Sequence, residues 1–131
     1  MTLQNGLLVA LGGAIGSVLR YAVALAAVAW VGPGFPWGTL TVNVLGCFVI
    51  GLVAELATGG LLGISPSVRV FLATGICGGF TTFSSFGLDA LQLTRDGALA
   101  AAFAYVAGSL VLGLVAVYAG IVAARLVASH G

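Results

Sequence analysis

Residues 74–87, Thr-Gly-Ile-Cys-Gly-Gly-Phe-Thr-Thr-Phe-Ser-Ser-Phe-Gly, decide the fold of this chain. They place four glycines, five hydroxyl side chains and three phenylalanines inside an otherwise apolar segment. A helix surrounded by lipid has no use for this composition, because every backbone polar group in the bilayer needs a partner. We therefore expect the backbone to open at membrane depth beside a lining of hydroxyls and aromatic rings. Such an opening predicts a conduction pathway or an ion site.

The overall composition excludes a soluble protein. Of 131 residues, 61% are hydrophobic and 5% are charged, whereas soluble domains are about a quarter charged. Lipid is therefore the expected solvent, and we expect a multi-pass membrane protein. The formal net charge of +1 provides no basic patch for nucleic acid. No nucleophile–base pair or metal cluster in the sequence indicates an enzyme.

Four apolar runs are long enough to cross a bilayer, which takes about 20 residues each. We expect an all-α integral membrane protein with one domain over residues 1–131 and spans at about residues 7–31, 38–57, 67–93 and 98–127. Breaks are predicted at residues 32–36, at residues 58–60 and at the polar turn 95–97. Pro66 fits the start of the third span. We expect this span to be broken between Gly75 and Gly79, and the lone His130 to be inert.

The arginines give almost no preferred orientation in the membrane. With four spans, Arg69 and Arg125 lie on the side of the termini, while Arg95 lies on the other side with Arg20 toward it. Orientation follows the Lys/Arg difference between the two sides, and that difference is close to zero here. We infer that the chain inserts both ways up and forms an antiparallel dual-topology homodimer, because one four-helix unit leaves little room for a pore.

The first span carries a small-residue face and one arginine. Gly12 and Gly16 are four residues apart, which is typical of close helix packing in membranes. Arg20 continues the same face one turn further on. An arginine near a span end commonly snorkels to the interface, and its functional alternative is to draw anions into a vestibule.

A polar face is predicted on the second span, where Thr39, Asn43 and Gly46 are spaced by four and three residues. An amide at membrane depth needs a partner. Asn43 either holds two helices together or lines an aqueous path and offers its NH₂ donors to an ion. The sequence leaves both readings open.

The third span carries two adjacent stripes if helix resumes after Gly79. One contains Phe80, Phe83 and Phe86. The hydroxyls Thr81, Ser84 and Ser85 form the other. Ring edges carry partial positive charge, so they can face an anion without holding it too tightly to leave. The carbonyls freed at the glycines could hold a small cation from two copies, and a simple glycine kink is the alternative.

The fourth span places Tyr105 and Ser109 on one face, either as a packing pair or as part of the polar track. Glu55 and Asp89 fall near span ends, whereas proton-coupled transporters usually bury a titratable group along their path. The residues therefore predict passive conduction, with a weak preference for an anion.

Three motifs, residues 12–20, 38–46 and 78–86, strongly resemble the Fluc/CrcB family of fluoride channels. They read GGAIGSVLR, GTLTVNVLG and GGFTTFSSF, in the order of the family, and the resemblance covers all four spans. It implies passive, selective fluoride export across the cell inner membrane by an antiparallel homodimer with two pores, which lowers cytoplasmic fluoride. The expected partners are the fluoride ion, a second copy of the chain and membrane lipid.

The family resemblance also implies roles for individual residues. The implied pore-lining residues are Asn43, Phe83, Phe86, Ser84, Ser85, Tyr105 and Ser109. Arg20 would lie at the aqueous vestibule. A structural Na⁺ at the dimer interface would be held by main-chain carbonyls of Gly78 and Thr81 from each subunit. Gly87 and Asp89 depart from the family pattern, which has a hydroxyl and a glutamate there, and their roles stay open.

Two other functions compete with a fluoride channel. A small multidrug-type proton-coupled antiporter also has four short spans, but that class needs a glutamate in the first span, and residues 7–31 contain none. The other alternative is a helical assembly subunit with no transport role.

Overall fold

Four long apolar spans form the protein, and the computed structural model describes residues 2–58 and 63–129. In chain order the helices are α1 (Leu3–Val31), α2 (Trp37–Thr58), α3 (Pro66–Arg69), a π-helix (Val70–Cys77), α4 (Gly78–Phe80), α5 (Phe83–Arg95) and α6 (Leu99–Ser129). The segments from Pro66 to Arg95 together make the third span. The expectation of an all-helical, four-span protein is confirmed. Two sequence predictions, the loop glycines at 59–60 and the inert His130, lie outside the described residues.

The ends of the spans follow local chemistry. Ser65 Oγ accepts a hydrogen bond from the Val68 N–H at 3.3 Å, and Pro66 follows as the first helical residue. Gly32 (φ +89°) and Gly97 (φ +77°) occupy the left-handed region after α1 and α5, which glycine enters without steric cost. The predicted start at Pro66 and the predicted turn before α6 are therefore confirmed.

Glycines bring α1 against the third span at backbone distance. Gly12 and Gly16 are the buried residues of α1. A Cβ on Gly12 would lie 2.9 Å from Gly75 Cα, and one on Gly16 would meet the Ile76 carbonyl oxygen. The predicted small-residue face is therefore confirmed, and its partner is the glycine-rich part of the third span.

The predicted break between Gly75 and Gly79 is wrong. Both glycines lie in continuous helical backbone, in the π-helix and in α4. Their purpose is close approach: a Cβ on Gly75 would lie 3.0 Å from Gly12 Cα, and one on Gly79 would meet the Gly13 carbonyl. Because the helical hydrogen bonds persist, the glycines leave few backbone groups to be satisfied in lipid.

The interruption of the third span lies instead at Thr81 and Thr82. Both residues are extended, with φ −84° and ψ 159° at Thr81 and φ −153° and ψ 119° at Thr82. Thr82 then caps α5, because its Oγ1 accepts from the Ser85 N–H at 3.1 Å. The predicted continuous stripe of phenylalanines is also wrong for Phe80, which precedes the interruption, while Phe83 and Phe86 share α5.

The second and fourth spans pack closely along each other. A Cβ on Gly51 would meet the Val117 carbonyl, and one on Gly120 would meet the Phe48 carbonyl. Past these contacts, Arg125 Nε donates to Glu55 Oε1 at 2.9 Å and ties the end of α6 to that of α2. Most large apolar side chains of the spans point outward, which suits a protein whose solvent is lipid.

Adding a methyl group to Gly16 should destabilise the fold. In Gly16→Ala the new Cβ would meet the Ile76 carbonyl and lie 2.8 Å from Phe80 N, and both atoms belong to backbone that cannot move aside. Overpacking of this kind costs about 1–3 kcal/mol. The measurement is the temperature at which the purified protein loses its monodisperse elution peak in detergent.

The matched control is Gly13→Ala, three residues away on the same helix. No atom lies within 4 Å of the Cβ position of Gly13, so this variant should keep the stability of the parent. Equal heat resistance of the two variants would show that α1 does not need the glycine contact.

Candidate functional site: a polar interruption in the third span

A side-chain amide on α2 holds the interruption in the third span. Asn43 Nδ2 donates to the Thr82 carbonyl at 3.0 Å, and Asn43 Oδ1 accepts from the Thr82 N–H at 2.8 Å. We call this paired contact of Asn43 with the Thr82 backbone the amide clamp. It satisfies both backbone groups of a residue that has left the helix inside a membrane span. One Nδ2 hydrogen is used in this way, and the amide carries two.

The amide clamp and the Thr82 cap divert two helical donors from their usual acceptors. In a continuous helix the Thr82 N–H would donate to the Gly78 carbonyl and the Ser85 N–H to the Thr81 carbonyl. Here the Thr82 N–H donates to Asn43 and the Ser85 N–H to the Thr82 hydroxyl. The carbonyls of Gly78 and Thr81 thereby lose their usual helical donors. These are the two carbonyls to which the family resemblance assigns a Na⁺ ion.

Hydroxyl groups cluster around Thr82. Its Oγ1 donates to Ser85 Oγ at 3.1 Å and lies 3.3 Å from Ser84 Oγ. Thr82 itself is 9% exposed, whereas Ser85 is half-buried and Ser84 is exposed. The predicted residues Ser84 and Ser85 therefore both contact the hydroxyl of Thr82, which was not predicted.

A second polar cluster lies one turn further along α5. Thr39 Oγ1 donates to Asp89 Oδ2 at 2.7 Å, and Tyr105 Oη donates to the same oxygen at 3.3 Å. Tyr105 is fully buried. The carboxylate thus takes the hydroxyl hydrogens of two residues from different spans. Asp89 joins α2, α5 and α6, a role that the sequence left open.

The two predicted pore phenylalanines differ sharply in exposure. Phe83 is 83% exposed, while Phe86 is half-buried. Their ring centroids are 5.6 Å apart, and Phe86 continues to Tyr105 at 5.3 Å. The rings form a short aromatic row that runs from the protein surface to the buried tyrosine.

Ser109 has the free hydroxyl of the α6 pair. Its Oγ is inaccessible to solvent and has no hydrogen-bond partner among the described residues, whereas the Tyr105 hydroxyl is bound to Asp89. No hydrogen bond joins the Tyr105 and Ser109 hydroxyls, so the choice between a packing pair and a polar track stays a prediction. A buried hydroxyl without a partner is uncommon, and its hydrogen is available to a bound ion or molecule.

Two cavities share Thr39 as a lining residue. One, of about 410 Å³, is lined by the α1–α2 loop with Thr39 and Asp89. The other, of about 280 Å³, has Ser17, Arg20, Thr39, Thr82 and Ser85 in its wall, and we call it the polar approach. Arg20 therefore shares a cavity with the hydroxyls of Thr82 and Ser85, and its role at a vestibule stays a prediction.

Thr82, which is central to the site, was not among the predicted site residues. A signal was present, because Thr82 precedes Ser85 by three residues, the spacing at which a hydroxyl caps a new helix. The shared face of Thr39, Asn43 and Gly46 is confirmed. Thr39 and Asn43 bond to the third span, and a Cβ on Gly46 would meet Thr81 Cγ2.

The fold and this site define a class: a small multi-pass membrane protein with a polar, hydroxyl-lined interruption in one span. A family model described as CrcB-like protein, Camphor Resistance (CrcB), matches residues 7–121. The chain belongs to this family, which confirms the resemblance carried by the three motifs.

Relatives of this chain are named as fluoride-specific ion channels. The fluoride-specific ion channel FluC of Rhizobium etli is 55% identical over 121 residues, which are 92% of this chain and 96% of that protein. FluC of Agrobacterium fabrum is 52% identical over 121 residues, with the same coverage of both chains. FluC of Chlorobium chlorochromatii is 53% identical over 125 residues, 93% of each chain.

Replacing Asn43 by aspartate should destabilise the third span. Asn43→Asp keeps the acceptor for the Thr82 N–H but loses the donor to the Thr82 carbonyl, and it sets a negative oxygen against that carbonyl. Leaving a buried polar group without its partner costs about 1–3 kcal/mol. The check is thermal stability in detergent together with circular dichroism.

Asn5→Asp is the matched control, since it makes the same chemical change at the chain's other asparagine. Asn5 lies in the first turn of α1, where a negative charge interacts favourably with the helix dipole. We expect no loss of stability there. An Asn43→Asp protein as stable as this control would mean that the amide clamp contributes nothing to the fold.

Proposed function

We infer that this protein is a fluoride-specific ion channel. The observation that carries this conclusion is the match, over 92% of the chain, to a relative named for that activity. The polar approach to Thr82 and the free hydroxyl of Ser109 support it, because a small anion that leaves water needs hydrogen-bond donors along its path. An ion channel performs no chemical conversion, which agrees with the prediction that the chain is not an enzyme.

The arrangement of residues suggests how fluoride would travel. Arg20 gives the approach cavity a positive charge that raises the local anion concentration. The hydroxyls around Thr82 then replace water as donors. Beyond them Phe83 and Phe86 offer ring edges, which attract an anion weakly. Weak, successive contacts allow the ion both to enter and to leave.

Two of the three acids of the chain lie away from the proposed path: Glu55 is bound to Arg125 near the ends of α2 and α6, and Asp96 follows α5. The third, Asp89, is half-buried and accepts hydrogen bonds from Thr39 and Tyr105, and passive transport leaves it this structural role. The small multidrug-type antiporter is not favoured, because no glutamate lies in α1 and the matched relatives are named as channels. Passive flow through this protein in the inner membrane would export fluoride and lower its cytoplasmic concentration.

We propose that two copies assemble antiparallel and form two pores. Phe83 is 83% exposed beside the most polar part of the site, which suits a ring covered by a second subunit. The near balance of arginines between the two sides of the membrane supports insertion in both orientations. A dimer would make Phe83 and Phe86 of both copies available to each pore.

A structural Na⁺ between the two copies is part of this proposal. The carbonyls of Gly78 and Thr81 fit such an ion, because both have lost their helical donors and main-chain oxygens are suitable ligands for a hard cation. When bound, the ion would neutralise carbonyl dipoles that meet at the interface. Gly78 is exposed and Thr81 half-buried, so both lie near the surface that the second copy would cover.

Fluoride efflux from liposomes tests the proposed function. Vesicles that contain the purified protein are loaded with fluoride or chloride and diluted with a potassium ionophore and no imposed pH gradient. Rapid fluoride loss with chloride retained is the expected result. Efflux that requires a pH gradient would favour coupled transport, and vesicles that retain fluoride would refute the channel.

Phe83→Ile should abolish fluoride efflux without disturbing assembly. Isoleucine keeps the apolar bulk but removes the ring edge and the contact with Phe86. The measurements are efflux and the molecular mass in detergent, which should stay at twice the 13.0 kDa of one chain. Unchanged efflux would remove this ring from the pore, and a monomeric parent protein would refute the dimer.

Phe103→Ile is the control for that variant. Phe103 is another exposed phenylalanine, at 76% on α6, and it makes no ring contact within the described part of the chain. Efflux through this variant should match the parent, so a loss there would show that any exposed ring matters.

Removing Na⁺ should slow fluoride efflux. Liposomes and detergent solutions prepared with N-methyl-D-glucamine in place of Na⁺ would leave the Gly78 and Thr81 carbonyls facing one another without a cation, which weakens the interface. Efflux and the dimer fraction should both fall and recover when Na⁺ is restored. Values independent of the cation would contradict the site.

A further inference from the structure

The fold brings the two cysteines of the chain to one cavity. Cys47 on α2 and Cys77 in the π-helix both have free thiols and both line a groove of about 340 Å³. Nothing in their positions along the chain indicates this, because they lie in different spans. The groove opens beside the amide clamp, since Asn43 and Thr82 line it as well.

The two thiols lie at the same depth in the membrane. Asn43 bonds to Thr82 across the two spans, and Cys47 lies one helical turn from Asn43. Cys77 precedes Thr82 by five residues, in the direction in which the third span runs back alongside α2. The contact between Gly46 and Thr81 fixes the register between these two positions.

Both thiols occupy apolar surroundings. Cys77 is 5% exposed, and Cys47 Sγ lies 3.4 Å from the Cβ position of Gly113 on α6. Among the described residues, no group of three or more His, Cys, Asp or Glu side chains could hold a metal. A pair of sulfur ligands therefore suits a soft cation that accepts two donors, and does not suit zinc, which requires four ligands.

We propose that Cys47 and Cys77 form a binding site for a soft monovalent cation of the Ag⁺ or Cu⁺ type. On binding, one thiol loses its proton to water and forms a metal–thiolate bond, while the other donates a sulfur lone pair and keeps its hydrogen. The cation's charge and the thiolate's charge cancel, so the occupied site is neutral. A neutral site is the form that the bilayer interior accepts most readily.

An ion in this groove would act on the third span. Because Asn43, Thr81 and Thr82 line the same cavity as the thiols, a cation that draws Cys47 and Cys77 together would change the spacing of α2 and the interruption. The expected consequence is a loss of fluoride efflux in the presence of the soft cation.

Silver binding to the purified protein tests this site without any measurement of transport. The dimer in detergent and chloride-free nitrate buffer is titrated with Ag⁺, bound metal is counted, and the infrared S–H bands of the two thiols are followed. One Ag⁺ per chain that removes one S–H band and shifts the other in the same step is the expected result. If one equivalent changes the band of a single cysteine and a second equivalent that of the other, the thiols act independently and the site is refuted.

Cysteine variants provide the second arm. Cys47→Ser and Cys77→Ser should each lose tight binding, to the level of the double variant, which keeps Met1 as the one remaining sulfur. Retention of tight binding by either single variant would overturn the proposal. Silver should stop efflux through the parent protein and leave the double variant unaffected; equal inhibition of both would place the silver effect elsewhere.

Discussion

The structure depends on the contact between one side-chain amide and one peptide unit. Asn43 gives the Thr82 N–H and carbonyl the partners that a helix would otherwise supply. In lipid, an interrupted helix without such a surrogate would leave both groups unpaired. The amide clamp is therefore what allows extended backbone to exist at this depth. It also frees the neighbouring carbonyls and lets Thr82 begin a new helix with its hydroxyl among Ser84 and Ser85.

Glycines and the interruption divide the third span into two parts with different tasks. Before Thr81 the span is a packing element: Gly75 and Gly79 let α1 approach until backbone touches backbone. After Thr82 it carries polar and aromatic groups: Asp89 binds Thr39 on α2 and Tyr105 on α6, and Phe86 packs against Tyr105. Rigid packing before Thr81 holds the polar groups after Thr82 in position, which a site without bulk water requires.

The sequence predicts the general architecture well because hydropathy and turn residues are local signals. Span number, the Pro66 start, the turn at Gly97 and the glycine face of α1 all follow from short-range patterns. The interruption was misplaced by a few residues because glycine serves two purposes, and composition alone cannot distinguish a flexible backbone from a close contact.

The remaining features of the site depend on long-range geometry. Asn43 pairs with Thr82, and Asp89 binds Thr39 and Tyr105. Both sets of contacts depend on how three spans come together. The grouping of Cys47 with Cys77 has the same origin. No pattern along one helix encodes these pairings, since each partner lies on a different span.

The interior of the protein also contains the hydroxyl of Ser109. Its hydroxyl oxygen is sealed from solvent and bonded to no described residue. A hydroxyl placed in this way can donate a hydrogen bond without first giving up a bond to another described side chain. In the proposed channel, a fluoride ion beside Ser109 would therefore gain a donor at no cost to the contacts that hold the four spans together.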